Sequence, residues 1–408
     1  MEPAIAGAIY TAESLLEGAV AFAKGITHPT LPLRASFSHI TSTPLPRTGH
    51  TLSVVKGRAY IFGGESSPGT LADNDMHIVI LPVWVFDTVA NAWSHLDPAP
   101  GAPYPAHRAL HAAASAELPP PKETVYKERA PQQPADPATV VPEPPESHSW
   151  GTLFVCGGRA VEGGELLKDG LAFDVRSRAW SNIPTPPGPP RVGASMAVVG
   201  NRLYRFGGHD GEMYVWGGIE WLDASGVWQH AESGTTALQS GWAWEEVTYQ
   251  EGEGPQARSG AGLVGVTTGQ GRQYLLAIGG EGKAPLSLEV SGKDVAADEG
   301  SACLDDIWAF QLPPESMTGA SVKDAARNVI KLDVKQAKWA EVQYHYLDAS
   351  GEEEKEIPGE PRMKAMGLRK GFAAANGTEV DGASVVVWGG VDEKGRVLND
   401  GWLITVDR

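Results

Sequence analysis

Five apolar runs of the chain end in a Gly-Gly pair, and the residues that follow those pairs are Glu65, Arg159, His209, Glu281 and Val391. Carboxylates, a guanidinium and an imidazole gathered at one place could bind a charged ligand or exchange a proton with it. Upstream of each pair stands an arginine: Arg47, Arg108, Arg191, Arg258 or Arg369. A guanidinium grips a carboxylate through two parallel N–H donors, so each could bind an acidic group. An arginine repeated at one place in every unit can equally pair with a carboxylate or carbonyl inside the protein.

A third constellation is the stretch "DNDMH", in which Asp73, Asp75 and His77 alternate. On a strand these side chains project to one side, and oxygen and imidazole ligands suit a divalent metal such as Fe(II) or Mn(II). Glu65, in the preceding turn, is the candidate to join Asp73 and His77 as a ligand. The plain alternative is that Asp75 begins an acidic turn, as Asp169, Asp305 and Asp400 do in later units. His50 and His111 each lie three residues past their arginine, where other units carry Ala194, Ala261 and Phe372. Such imidazoles act as acid–base groups or sit as hydrogen-bonded core residues. No nucleophile motif, phosphate loop or paired zinc-ligand spacing accompanies them.

The elements that must position these side chains repeat along the chain. Each unit runs from the arginine through an apolar stretch, a second apolar stretch ending in the Gly pair, an acidic turn, a third strand ending in Asp, and a Trp. "VWVFDTVANAW", "LAFDVRSRAW" and "VIKLDVKQAKW" show the last two steps. This is four short strands per unit. Such a sheet cannot bury both faces alone, but several set around an axis bury them against one another, with Trp filling the wedges. The third unit offers two positions for its outer strand, at Trp228 or at Trp244. The final segment, "GWLITVDR", stops before any Trp.

From about Arg47 to the C-terminus the Gly doublets and spaced aromatics resemble the kelch repeat. The resemblance implies an all-β kelch β-propeller of five four-stranded blades, or six if a degenerate blade occupies 209–250. It also implies that a strand from the opposite chain end closes the ring. "RASFSHI" (Arg34 to Ile40) would supply that strand, with Phe37 in place of the missing Trp. In kelch adaptors the loops after the Gly pairs and those before the innermost strands share one face, which makes Glu65, Arg159, His209, Glu281 and the five arginines the expected binding rim. Plant specifier proteins, also kelch propellers, use Glu-x3-Asp-x3-His for iron; Asp73-x3-His77 matches the second half, and Gly69 stands where the Glu is expected.

A formal net charge of −17 repels phosphate backbones and anionic lipid, so neither nucleic acid nor membrane is an expected partner. Cys156 and Cys303 lie far apart and set no disulfide framework. The N-terminus lacks a secretory pattern and no run is long enough to span a bilayer, which suggests a cytoplasmic protein. Residues 1–33 are expected to form a helix and lead-in, because Leu15, Ala19, Phe22 and Ile26 share one helical face between Thr11 and Ile26. The propeller then covers 34–408, with a Pro-rich insertion at 117–148 and further insertions at 284–301 and 313–328. The expected function is a monomeric scaffold that binds a protein partner. The alternative, which the resemblance to stand-alone kelch proteins of filamentous fungi implies, is a small-molecule biosynthetic accessory protein or enzyme, for a cyclisation, rearrangement or metal-assisted step of secondary metabolism, with its site at the channel mouth. No cofactor is expected beyond the divalent metal that Asp73, His77 and Glu65 could hold.

Overall fold

A computed structural model describes residues 30–39, 48–55, 58–67, 70–71, 83–87, 92–96, 105–106, 108–118, 150–160, 164–210, 220–223, 243–247, 254–268, 271–283, 301–314, 317–332, 334, 336–344, 366–377 and 383–407. Among them the chain is mostly β, in small antiparallel sheets with one parallel pairing, and it carries one helix.

Five sheets have four or more strands. Sheet I joins Thr51–Val55, Arg58–Phe62, Val83–Asp87 and Ala92–Leu96 in chain order. Sheet II joins Ala112–Ala116, Thr152–Cys156, Gly170–Asp174 and Ala179–Asn182; sheet III joins Ser195–Val199, Arg202–Phe206, Glu220–Asp223 and Glu245–Glu246. Sheet IV joins Gly262–Thr268, Arg272–Ile278, Ile307–Gln311 and Trp339–Glu341. Sheet V begins with Ala373–Asn376, Ser384–Trp388 and Gly401–Asp407, and its next strand is Arg34–His39 from the other end of the chain. That strand runs antiparallel to Gly401–Asp407 from Arg34 opposite Asp407 to His39 opposite Trp402. Gln343–Tyr344 adds to its outer edge in parallel.

The first strands of the five sheets neighbour one another in sequence order, and that of sheet V neighbours that of sheet I. Their composition suits a crowded axis, with "AAASA" in sheet II and "AAAN" in sheet V. The second strands of sheets II to V are largely buried because a sheet lies on each side of them. Thr152–Cys156 is buried at every position. Separate cores fill the spaces between consecutive sheets. Leu153, Val155, Phe173 and Trp180 pack with Phe62 between I and II, and Ala114, Phe154, Met196 and Leu203 pack between II and III. Val199, Phe206, Leu275 and Phe310 pack between III and IV. Val264, Leu276, Val385 and Ile404 pack between IV and V, and Leu52, Ile61, Ala373 and Ala375 pack between V and I. The arrangement is propeller-like.

The tryptophans act as the wedges that the repeat requires. Trp180 lies 4.9 Å from Phe173 of its own sheet and 5.8 Å from Phe62 of the preceding one. Trp339 repeats this with Phe310 at 5.1 Å and Phe206 at 5.8 Å. An aromatic ring here buries on the order of 150–250 Å² and joins two sheets at once. Phe37 faces Ile404 in the register that puts Trp180 opposite Phe173, and it stacks on Tyr344 at 5.9 Å. In sheet III the outer strand follows Trp244, whose Nε1 donates to the Pro184 carbonyl at 2.9 Å.

The stretch 313–328, expected only as an insertion, carries helix α1 at Gly319–Val329. Thr318 caps it: its Oγ1 accepts from the Ser321 N–H at 3.1 Å, and the Ser321 Oγ accepts from the Thr318 N–H at 2.8 Å. This reciprocal pair satisfies donors that a helix start leaves open. The expected N-terminal helix and most of the 117–148 and 284–301 insertions lie outside the described residues.

Candidate functional site

The site is built on one backbone feature that recurs in every unit. Two residues after each repeat arginine comes a residue with positive φ: Gly49 (63°), Leu110 (57°), Gly193 (62°), Gly260 (61°) and Gly371 (63°). The left-handed region is open to glycine and costs other residues roughly 1–2 kcal/mol, which explains the glycines. Their peptides form a cycle. The N–H of Gly49 donates to Gly371 (2.8 Å), Gly371 to Gly260 (2.9 Å), Gly260 to Gly193 (2.8 Å), Gly193 to Leu110 (2.7 Å), and Leu110 back to Gly49 (2.9 Å). A Cβ on Gly193 would fall 2.2 Å from the Ser259 Oγ, so the circle also leaves no room for a side chain there.

The residue just before each member of the cycle fixes the residue after the Gly pair. Thr48 bridges Glu65, Ala109 pairs with Arg159, Val192 bridges His209, Ser259 pairs with Glu281, and Lys370 pairs with Val391. These five equivalent pairings bring Glu65, Arg159, His209, Glu281 and Val391 around a single cleft of ≈ 950 Å³. Lys370, Ser301, Cys303, Asp392 and Glu393 line it too.

Two charge pairs straddle neighbouring sheets at this cleft. Arg159 Nη2 donates to Glu65 Oε1 at 2.9 Å, with 42% of the arginine side chain exposed. Lys370 Nζ donates to Glu281 Oε1, which also accepts from Ser301 Oγ. Asp392 accepts from the Lys394 and Arg396 N–H groups and from the Arg396 side chain. Burial works to raise its pKa, but these hydrogen bonds outweigh it and hold the carboxyl below the usual range. Burial pushes the half-buried Cys303 thiol up, against the pull of Lys370.

The described repeat arginines point elsewhere. Arg108, Arg191, Arg258 and Arg369 are buried, and each donates through Nη1 to the carbonyl of the first glycine of its pair: Gly157 at 3.1 Å, Gly207 at 3.1 Å, Gly279 at 2.9 Å and Gly389 at 3.1 Å. Three also grip, through two donors, the aspartate that precedes the third strand. Arg108 holds Asp169 at 2.7 Å through both oxygens, Arg258 holds Asp306 at 2.7 and 2.9 Å, and Arg369 holds Asp400 at 2.8 and 3.0 Å. In sheet IV the partner is Asp306, the neighbour of the Asp305 singled out in the sequence. Three of these four guanidinium groups, those of Arg108, Arg258 and Arg369, tie the Gly pair to the acidic turn, whereas the residues after the pairs line the cleft. Arg47, Asp73 and His77 lie outside the described residues, and the Glu65 carboxylate already accepts from Arg159.

Beyond the cycle lies a second, narrow cavity of ≈ 50 Å³, lined by His50 and His111. Leu110, Gly260 and Gly371 border both spaces, so the backbone circle separates the cleft from these histidines. His111 Nε2 sits 2.9 Å from Thr51 Oγ1, which itself donates to the Phe62 carbonyl at 3.4 Å. That pattern assigns the ring proton to Nε2. Burial, with help from Arg108 and His50, holds the His111 pKa well below its ordinary value. His111 is therefore a neutral core imidazole at pH 7.

Sequence reasoning missed Lys370, Ser301, Cys303, Asp392 and Glu393. Lys370 was legible as the neighbour of a repeat arginine, and Asp392 as the neighbour of Val391. Cys303 returns to the cleft only after the long 284–301 insertion, and no local pattern marks it.

No family model matches the chain. A rice (Oryza sativa subsp. japonica) protein named tRNA wybutosine-synthesizing protein 2/3/4 is 35% identical over 78 residues. The match covers 19% of this chain and 6% of the length of that curated relative. The solved structure of YjhT aligns with 89% of this chain and 84% of its own, with a TM-score of 0.43 and 13% identity. Among the described residues no helix is long and apolar enough to cross a membrane.

Proposed function

We propose that the protein is a five-bladed kelch-type propeller, closed by Arg34–His39, whose cleft binds a segment of a partner protein. The observation that carries this reading is the state of the charges. Around the cleft they are paired with one another across sheets, Arg159 with Glu65 and Lys370 with Glu281, while the imidazoles His50 and His111 lie behind the backbone circle. A general base must reach its substrate, and the cleft carboxylate that accepts from a hydroxyl, Glu281 from Ser301, is also held by Lys370. In both pairs the cation is the more open member, 42% exposed for Arg159 and 38% for Lys370, so a partner's acidic group can approach from the cationic side. Such pairs give specificity and fast association.

A cytosolic monomer fits this reading, and a net charge of −17 argues against direct contact with RNA. The second reading is a small-molecule accessory role. It is favoured by the cleft volume, which falls within the usual range of ligand sites, and by the biosynthetic name of the rice relative.

The test uses Cys303 as a probe inside the cleft. Proteins captured from native extract on the wild-type chain are compared with those captured on Arg159→Ala, Lys370→Ala and His209→Ala. A cleft-bound partner is lost from these variants and slows thiol labelling of Cys303 in the wild type. Retention of every captured protein by all three variants, with labelling unchanged, would sink the scaffold reading. For the metal, stoichiometric iron, manganese or zinc in the purified protein that is lost in His77→Ala would support the Asp73, His77 and Glu65 set, and its absence from the wild type would remove it.

A further inference from the structure

Helix α1 is built inside out. The residues it buries are Ala320, Lys323, Asp324 and Arg327, spaced i, i+3, i+4 and i+7. The charges are satisfied there: Arg272 holds Asp324 through two donors at 2.8 and 2.6 Å, and Arg327 reaches the same carboxylate at 3.1 Å. The opposite face carries Val322, which is 46% exposed, and Val329, 82% exposed. Seven residues apart, they lie on one line of the helix. Met317 before the helix and Ile330 and Leu332 after it are exposed as well, at 92%, 56% and 42%. A helix that turns its charges inward and its aliphatic residues outward is complete only when another apolar face covers it.

The chain itself leads to that surface. Thr30 is buried, donates from Oγ1 to the Val334 carbonyl at 3.2 Å and accepts at its own carbonyl from the Tyr274 hydroxyl at 2.8 Å. The residues before Thr30 therefore start two positions from Leu332, at the C-terminal end of α1. Those residues include Leu15, Ala19, Phe22 and Ile26, an apolar stripe at helical spacing. From Leu15 to Ile26 the stripe would be about 16 Å long at 1.5 Å per residue, which matches the length of α1. The link from Ile26 to Thr30 can reach roughly 14 Å when extended. We propose that residues 11–26 dock across the outward face of α1, with Phe22 against Val329. A tether this short gives an effective concentration on the order of millimolar, which favours the chain's own segment over a second copy.

The experiment uses the full chain. In wild type, hydrogen exchange across 319–332 is slow and a hydrophobic dye binds poorly; Phe22→Asp speeds that exchange by ~10-fold or more and raises dye binding, while exchange in the five sheets stays unchanged. A Phe22→Cys, Val329→Cys pair in a Cys303→Ser background forms a disulfide within one chain on mild oxidation. Equal exchange and dye binding in wild type and Phe22→Asp, or a cross-link found only between two chains, would overturn the assignment; the latter outcome identifies a second copy as the cover.

Discussion

Sheets III and IV use the same arginine in two ways. Both Arg191 and Arg258 are buried and donate to the first glycine carbonyl of their pair. Arg258 also clamps Asp306. In sheet III the third strand begins at Glu220, and the sequence before it, Gly217, Gly218 and Ile219, has no aspartate where sheets II, IV and V carry one. There Arg191 also reaches the Pro187 carbonyl, at 3.4 Å. The partner common to the four described repeat arginines is thus the glycine carbonyl, and the aspartate before the third strand joins it in sheets II, IV and V. The arginine serves first to fix the bend after the second strand.

The largest effect that sharpens this contrast is expected for Arg258→Ala. It leaves the Asp306 carboxylate without its guanidinium and should cost about 3–5 kcal/mol in urea unfolding. Arg191→Ala should cost less, about 1–3 kcal/mol, because the groups it abandons in sheet III include neutral carbonyls. Equal losses would show that the carboxylate is not what separates the two sheets.

Acid titration tests the same contrast in sheet V. Burial tends to raise the Asp400 pKa, but hydrogen bonds from Arg369 and Trp402 outweigh it and depress it below the ordinary 3.8. A depressed carboxylate stabilises the fold above its unfolded pKa, and that contribution is lost as pH falls through the lower folded value. Asp400→Asn should therefore show a shallower stability loss below pH 3.8 than the wild type. His111 acts in a higher window. The unfolded imidazole takes a proton near its ordinary 6.5 and the buried one resists, so stability drops as pH falls from 6.5 towards the folded value. His111→Gln should flatten that arm.

The smallest effect concerns reactivity. Burial raises the Cys156 thiol to about 12, whereas Cys303 borders the cleft. One thiol, Cys303, should react with a maleimide in the native protein, and the second only after unfolding. Mass spectrometry of the labelled chain distinguishes them.

The repeat was readable because its parts are periodic: Gly pairs, arginines and tryptophans recur at fixed places, and the physics of each is local. The set Glu65, Arg159, His209, Glu281 and Val391 followed from counting one residue past each pair, and the structure brings all five to one cleft. The buried role of the arginines was not fixed in the same way, since Arg258 and Asp306 meet across an insertion whose length no pattern reports. Helix α1 stayed hidden for the opposite reason. Hydrophobic periodicity marks the face that a helix buries, and this helix buries Lys323, Asp324 and Arg327, so its apolar spacing labels the outside.

The circle of peptide bonds around the axis gives the molecule an all-or-none repeat number. Every N–H in it points the same way round, and the last acceptor is satisfied only when the first donor arrives. Gaining or losing one unit by gene duplication or deletion would force all the others to re-aim at once. Residues added between units, as the sequence carries at 284–301, lie outside the circle and leave its five bonds unchanged.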